Sequence, residues 1–140
     1  MPGLYLEDLT VGQSAQLVRV VAEADLVAFA AVTGDTNPVH LDADYAATTS
    51  FGERIAHGML SAGYISAVLG TTLPGPGAVY LSQTLAFKRP VKIGAEVTAK
   101  VTVTAIDAAK GRVTVATVCQ VGGKTVVDGE AVVMVPKKSA

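Results

Sequence analysis

Apolar and polar positions along the chain change period once, near the middle. Ser14–Val21 forms a short extended segment, and helical spacing takes over at Glu23–Val32. Glu23 and Asp25 suit the positive end of a helix, and Gly34 follows the periodic run as a terminator would. The next segment, Asp35-Thr36-Asn37-Pro38-Val39-His40, is dense in turn formers, and Pro38 bars a continuous helix through it. A short helix is expected around Ala43–Thr49 and a long apolar one from about Ile55 to Gly70, before Pro74-Gly75-Pro76-Gly77. Beyond that point the period is two. Val79, Leu81, Leu85 and Phe87 alternate with polar or small residues, as do Val97, Val101 and Val103, then Val113 and Val115; a last strand covers about Thr125–Val135. Lys110-Gly111 and Gly122-Gly123 mark hairpin turns between strands. The pattern predicts an α+β fold in which an antiparallel meander wraps one apolar helix. No repeat or linker divides it, so residues 1–140 read as a single domain, with Pro136–Ala140 as a loose tail.

Composition sharpens this picture in three ways. A chain of 140 residues lies in the usual single-domain range of roughly 100–150. It is 50% hydrophobic and 16% charged, with a mean hydropathy of +0.44. More apolar surface than one small core can use points to a subunit interface in a symmetric oligomer. The balance of 11 Lys+Arg against 12 Asp+Glu argues against a general nucleic-acid binder. Residues 55–87 carry no Asp, Glu, Lys or Arg, but His57, Ser61, Ser66, Thr71, Thr72 and a stop at Pro74 make the stretch a buried helix rather than a membrane span. Cys119, the single cysteine, has no internal disulfide partner, which fits a reducing cytoplasm. Met1–Thr10, with Glu7 and Asp8, does not read as a signal peptide.

His40 and His57 are the two side chains whose ordinary titration range brackets neutral pH. Asp35 and His40 share a proline-stiffened loop, where a carboxylate and an imidazole could grip one water, one group taking its proton while the other later donates one to a reacting carbon. The same residues could instead cap a turn and occupy an ordinary loop. At Ala56-His57-Gly58-Met59, a helix N-terminus would present free N–H groups, and Gly58 would let a ligand carbonyl approach them. Were that carbonyl a thioester's, those donors would stabilise an enolate oxygen. Gly58, Ala62, Ser66 and Gly70 recur every four residues as a small-residue face, explicable also by close packing on a sheet. Ser66 alone on that face can hydrogen-bond a ligand, with Leu69 near any acyl tail. His57 precedes the helix and reads as structural. Lys88, Arg89 and Lys92 form a basic cluster that either holds phosphates or is solvated strand-end charge. There is no phosphate-binding glycine loop, no nucleophile elbow, and no Cys/His spacing for zinc, so no metal is expected.

Thr33-Gly34-Asp35-Thr36-Asn37-Pro38-Val39-His40-Leu41-Asp42 resembles the hydratase-2 motif of the MaoC-like hot-dog family. Ala46-Ala47-Thr48-Thr49, Ile55-Ala56-His57-Gly58-Met59-Leu60, Leu73-Pro74-Gly75, Phe87-Lys88-Arg89-Pro90-Val91 and Gly129-Glu130-Ala131-Val132-Val133 resemble it too, in order, so the likeness runs from about Leu9 to Pro136. It is most similar to the short (R)-specific enoyl-CoA hydratases that link β-oxidation to polyhydroxyalkanoate synthesis. The resemblance implies a hot-dog fold, a homodimer that could assemble further, and a hydro-lyase acting on an acyl-CoA thioester with no cofactor of its own. It implies that Asp35 and His40 are the catalytic pair, that Asn37 orients their loop, that the Gly58 N–H binds the thioester oxygen, and that Ser66 lies near the site. Lys88, Arg89 and Lys92 fit the CoA phosphates. Other readings are a dehydratase of 3-hydroxyacyl groups on carrier protein, a hydratase of another acyl-CoA, a hot-dog thioesterase, and a non-catalytic acyl-CoA-binding subunit. Acyl chain length, set by packing around residues such as Leu69 and Val133, is not written in the spacing.

Overall fold

A computed structural model of the chain describes residues 3–139. Residues 1–2 and 140, the two ends of the expected domain, lie outside the described part. The elements run β1 (Ser14–Val20), α1 (Glu23–Thr33), α2 (Pro38–Leu41), α3 (Ala43–Ala47), α4 (Gly58–Thr71), β2 (Val79–Gln83), β3 (Ala86–Phe87), β4 (Glu96–Asp107), β5 (Arg112–Val121) and β6 (Lys124–Met134). The strands form one antiparallel sheet in the order β1-β4-β5-β6-β2, with β3 also on β6. β1 and β2 are therefore its outer strands.

The period-two pattern of β4 and β5 explains why these strands lie where they do. Val97, Ala99, Val101 and Val103 on β4, with Val113, Val115, Thr117 and Cys119 on β5, point inward and are buried. Against them α4 sets Tyr64, Ile65, Val68 and Leu69. Fully burying a Val, Leu or Ile side chain contributes about 1.5–3 kcal/mol, so this helix-on-sheet layer supplies the main favourable term of the fold. α1 ends where expected: Gly34 takes φ 80°, and its N–H donates to the Ala30 carbonyl at 2.8 Å.

Four expectations need correction. α4 begins at Gly58 rather than Ile55, because residues 55–56 spend their backbone on strand-like pairing: Ile55 bridges Lys92, and the Ala56 N–H donates to Val91 C=O at 2.7 Å. The stretch 79–87 is two short strands, since at Thr84 the chain turns its N–H and Oγ1 to Glu130. Its apolar set also stays exposed except for Leu85, which is half-buried against the core: Val79 is at 52%, Leu81 at 42% and Phe87 at 54%. The tail is tied down over residues 136–138. Leu6 N–H donates to Pro136 C=O at 2.9 Å, and Lys138 Nζ lies 2.9 Å from Asp8, holding that carboxyl below its usual range. No helix among the described residues is long and apolar enough to cross a membrane; α4, the apolar one, has 14 residues.

Candidate active site

The loop between α1 and α2 is built by local side-chain bonds. Thr33 Oγ1 donates to Phe29 C=O at 2.7 Å and accepts from the Asp35 N–H at 3.1 Å. Asn37 caps α2, its Oδ1 accepting from Val39 N–H at 3.1 Å, and Pro38 sits at the first helical position, where a missing N–H costs nothing. His40 thus lies on one turn of helix, not in an irregular loop. This turn carries its ring inward to 8% exposure while Asp35 remains at the surface.

The ring nitrogens can be assigned from their partners. His40 Nδ1 is 2.7 Å from the Ile55 carbonyl oxygen. A carbonyl only accepts, so Nδ1 carries the hydrogen, and in the neutral ring Nε2 keeps a free lone pair. His57 Nε2 is 3.0 Å from the Asp35 carbonyl, so by the same argument its Nδ1 is bare. The two rings face each other at 3.8 Å between centres, and Phe29 packs on His57 at 4.6 Å. Ligand atoms of Asp35, His40 and His57 all fall within 4.8 Å of one another.

Gly58 stands at the N-terminus of α4, whose N-cap, His57, gives the first turn no side-chain bond. Its N–H is one of the orphan donors that every helix start leaves open. A cavity of about 380 Å³ is lined by His40, Gly58, Phe87, Lys88 and Arg89 among others, so the imidazole, the helix end and two basic residues share one space. Lys92 is not part of that lining; its pairing with Ile55 sets it 3.6 Å from Glu53. Ser66 and Leu69 also lie elsewhere. Ser66 lines an open groove of about 490 Å³ with Met59, Ala62, Tyr80 and Leu81, and a recess of about 180 Å³ that also holds Leu69 and Val133. On the small-residue face of α4 the two ends differ: a Cβ on Gly58 would meet the Phe87 ring of β3 at 2.6 Å, whereas nothing lies within 4 Å of where a Cβ on Gly70 would stand.

Three features had no signal in the sequence. Arg54 Nε donates to His40 C=O at 2.7 Å while its Nη1 pairs with Glu23 at 2.8 Å, linking the start of α1 to α2. Both partners are remote in sequence, so spacing could not reveal them. Tyr80 hydroxyl donates to Gln83, whose Nε2 donates to Thr117 Oγ1 at 2.9 Å and Thr84 C=O at 2.8 Å, and burial raises the Tyr80 hydroxyl above its ordinary range. Phe29 packs on His57 from α1.

Comparison with known proteins matches residues 9–134 to the MaoC-like domain. An (R)-specific enoyl-CoA hydratase from Rhodospirillum rubrum is 58% identical over 134 residues, 96% of this chain and 93% of that protein. A 3-hydroxybutyryl-CoA dehydratase from Methylorubrum extorquens is 55% identical over 135 residues, 96% of this chain and 86% of that protein. The unliganded R-hydratase PhaJ1 from Pseudomonas aeruginosa superposes with a TM-score of 0.93 at 53% identity, over 97% of this chain and 88% of that one.

Proposed function

The chain belongs to the MaoC-like domain family, and from that premise we propose that it is an (R)-specific enoyl-CoA hydratase. It adds water across the double bond of a trans-2-enoyl-CoA to give an (R)-3-hydroxyacyl-CoA, and catalyses the reverse dehydration. The observation that carries the reading is His40, its Nε2 left free and its ring clustered within 4.8 Å with Asp35, lining one cavity with the uncapped helix N-terminus at Gly58, in a chain 58% identical to such a hydratase.

These positions support a syn addition. Asp35 and His40 hold one water; Nε2 of His40 takes its proton as the oxygen bonds to C3, and that nitrogen then returns a proton to C2. Electrons displaced from the double bond collect on the thioester oxygen, where the Gly58 N–H donates. Lys88 and Arg89 border the same cavity and suit CoA phosphates. The recess with Ser66, Leu69 and Val133 suits an acyl tail.

The working unit is a homodimer. β2 is an outer strand with Val79, Tyr80 and Leu81 exposed, and the groove beside it opens along α4, so a second copy would cover apolar surface and an unpaired edge together. The free, buried Cys119 and a CoA-linked substrate fit a cytoplasmic enzyme.

The test is hydration of crotonyl-CoA, followed as loss of the conjugated enoyl-thioester absorbance. Release of free CoA thiol instead of a 3-hydroxyacyl product would replace this reading with a thioesterase.

A further inference from the structure

His57 looks like a residue of the core, yet its contacts are those of the site. It is 2% exposed and its Nδ1 is, among the described residues, the buried side-chain nitrogen without a hydrogen-bond partner. A ring needed for packing alone would be better as carbon, because an unmet buried acceptor loses its hydration and regains nothing. What the imidazole adds over a phenyl ring is a donor. Its Nε2–H reaches the Asp35 carbonyl at 3.0 Å across 22 residues of sequence, its ring centre lies 3.8 Å from that of His40 with the planes tilted by 30°, and Phe29 packs on it as well. The residue is also the N-cap of α4, so its backbone leads directly into Gly58.

We propose that His57 is a positioning residue that fixes Asp35, His40 and Gly58 relative to one another, acting through the Asp35 carbonyl and the His40 ring without touching substrate. The role rests on the hydratase reading above. A misplacement of about 1 Å in such a constellation costs up to roughly a hundredfold in rate, so a single well-placed donor can matter for turnover while mattering little for folding.

With crotonyl-CoA as substrate, His57→Phe is expected to melt at or above wild type while kcat falls at least about tenfold and KM stays within about twofold. His57→Gln, whose amide reaches the Nε2 position, should recover kcat to within about threefold of wild type, whereas His57→Asn, too short for the Asp35 carbonyl, should not. The contrast between Gln and Asn decides the matter where the Phe variant fails to fold. Wild-type kcat in His57→Phe, or equal rates in the Gln and Asn variants, overturns the positioning role alone. A wild-type protein that leaves crotonyl-CoA unhydrated overturns the hydratase reading and, with it, this role.

Discussion

Adding one methyl group at Gly58 puts the proposed thioester-oxygen site under direct load. A Cβ built there would stand 2.6 Å from Cε1 and 2.7 Å from Cδ1 of Phe87, about 0.8 Å short of ordinary contact, which begins near 3.4 Å. Phe87 is 54% exposed, so its ring can swing away instead of straining the sheet. Alanine also gains up to about 1 kcal/mol over glycine within a helix, which offsets part of the crowding. Gly58→Ala should therefore fold, with Tm within roughly 5 °C of wild type. Activity is another matter. The methyl group occupies the approach to the Gly58 N–H, and losing one such pre-organised donor costs on the order of a hundredfold, about 2.7 kcal/mol of transition-state stabilisation. Steady-state hydration of crotonyl-CoA should show kcat/KM falling by that amount. A second variant separates the two causes: Phe87→Ala added to Gly58→Ala clears the ring clash but leaves the methyl over the N–H, so activity should stay low. Near-wild-type kcat/KM in Gly58→Ala would refute the oxygen site, and recovery in the double variant would trace the loss to crowding by Phe87.

Asp35→Asn and His40→Ala should each fold and lose roughly 100- to 10,000-fold in kcat, because each removes a group that grips or deprotonates the water; a circular-dichroism melt beside the rate assay checks both halves of this expectation. Arg54→Met keeps most of the side-chain bulk but removes its bonds to His40 C=O and Glu23, so thermal melting should show a loss of about 1–2 kcal/mol together with a several-fold drop in kcat; an unchanged melt and rate would show that the link is idle. Burial pushes the Cys119 thiol up to about 11, and Sγ donates to Ser61 C=O at 3.5 Å. At pH 7.5 the native protein should resist iodoacetamide and react only once denaturant opens it, whereas stoichiometric native labelling would contradict the buried thiol.

Sequence periodicity served best where one face of an element meets the core. β4 and the first half of β5 alternate Val or Ala with polar residues, and their buried positions fall on the apolar set; past Ala116 the buried face of β5 passes to Thr117 and Cys119. It served worst where apolar residues do something other than fill the core. Ile55 and Ala56 look like a continuation of the apolar helix, but their backbone pairs with Val91 and Lys92, contacts that no local pattern encodes. Val79 and Leu81 alternate as a half-buried strand would, yet they face outward beside the open groove. The loop of the proposed catalytic pair was legible because its parts are local: Asp35, Asn37, Pro38 and His40 build their own turn within six residues. His57 was legible only as a histidine before a helix, since Phe29, Asp35 and His40 reach it from other elements. The surroundings of Lys92 were not legible either. It stands three residues after Arg89, and its Nζ lies 3.6 Å from Glu53 where its backbone bridges Ile55.

The most direct test of the account is the stereochemistry of crotonyl-CoA hydration by the wild-type protein. The product would be read with dehydrogenases specific for each 3-hydroxybutyryl-CoA enantiomer. Asp35 and His40 holding one water against one face of the double bond predict a single enantiomer, and the 58% identity to an (R)-specific hydratase makes it the (R) form, produced without release of CoA thiol. Formation of the (S)-enantiomer or a racemate, or thiol release in its place, would contradict it.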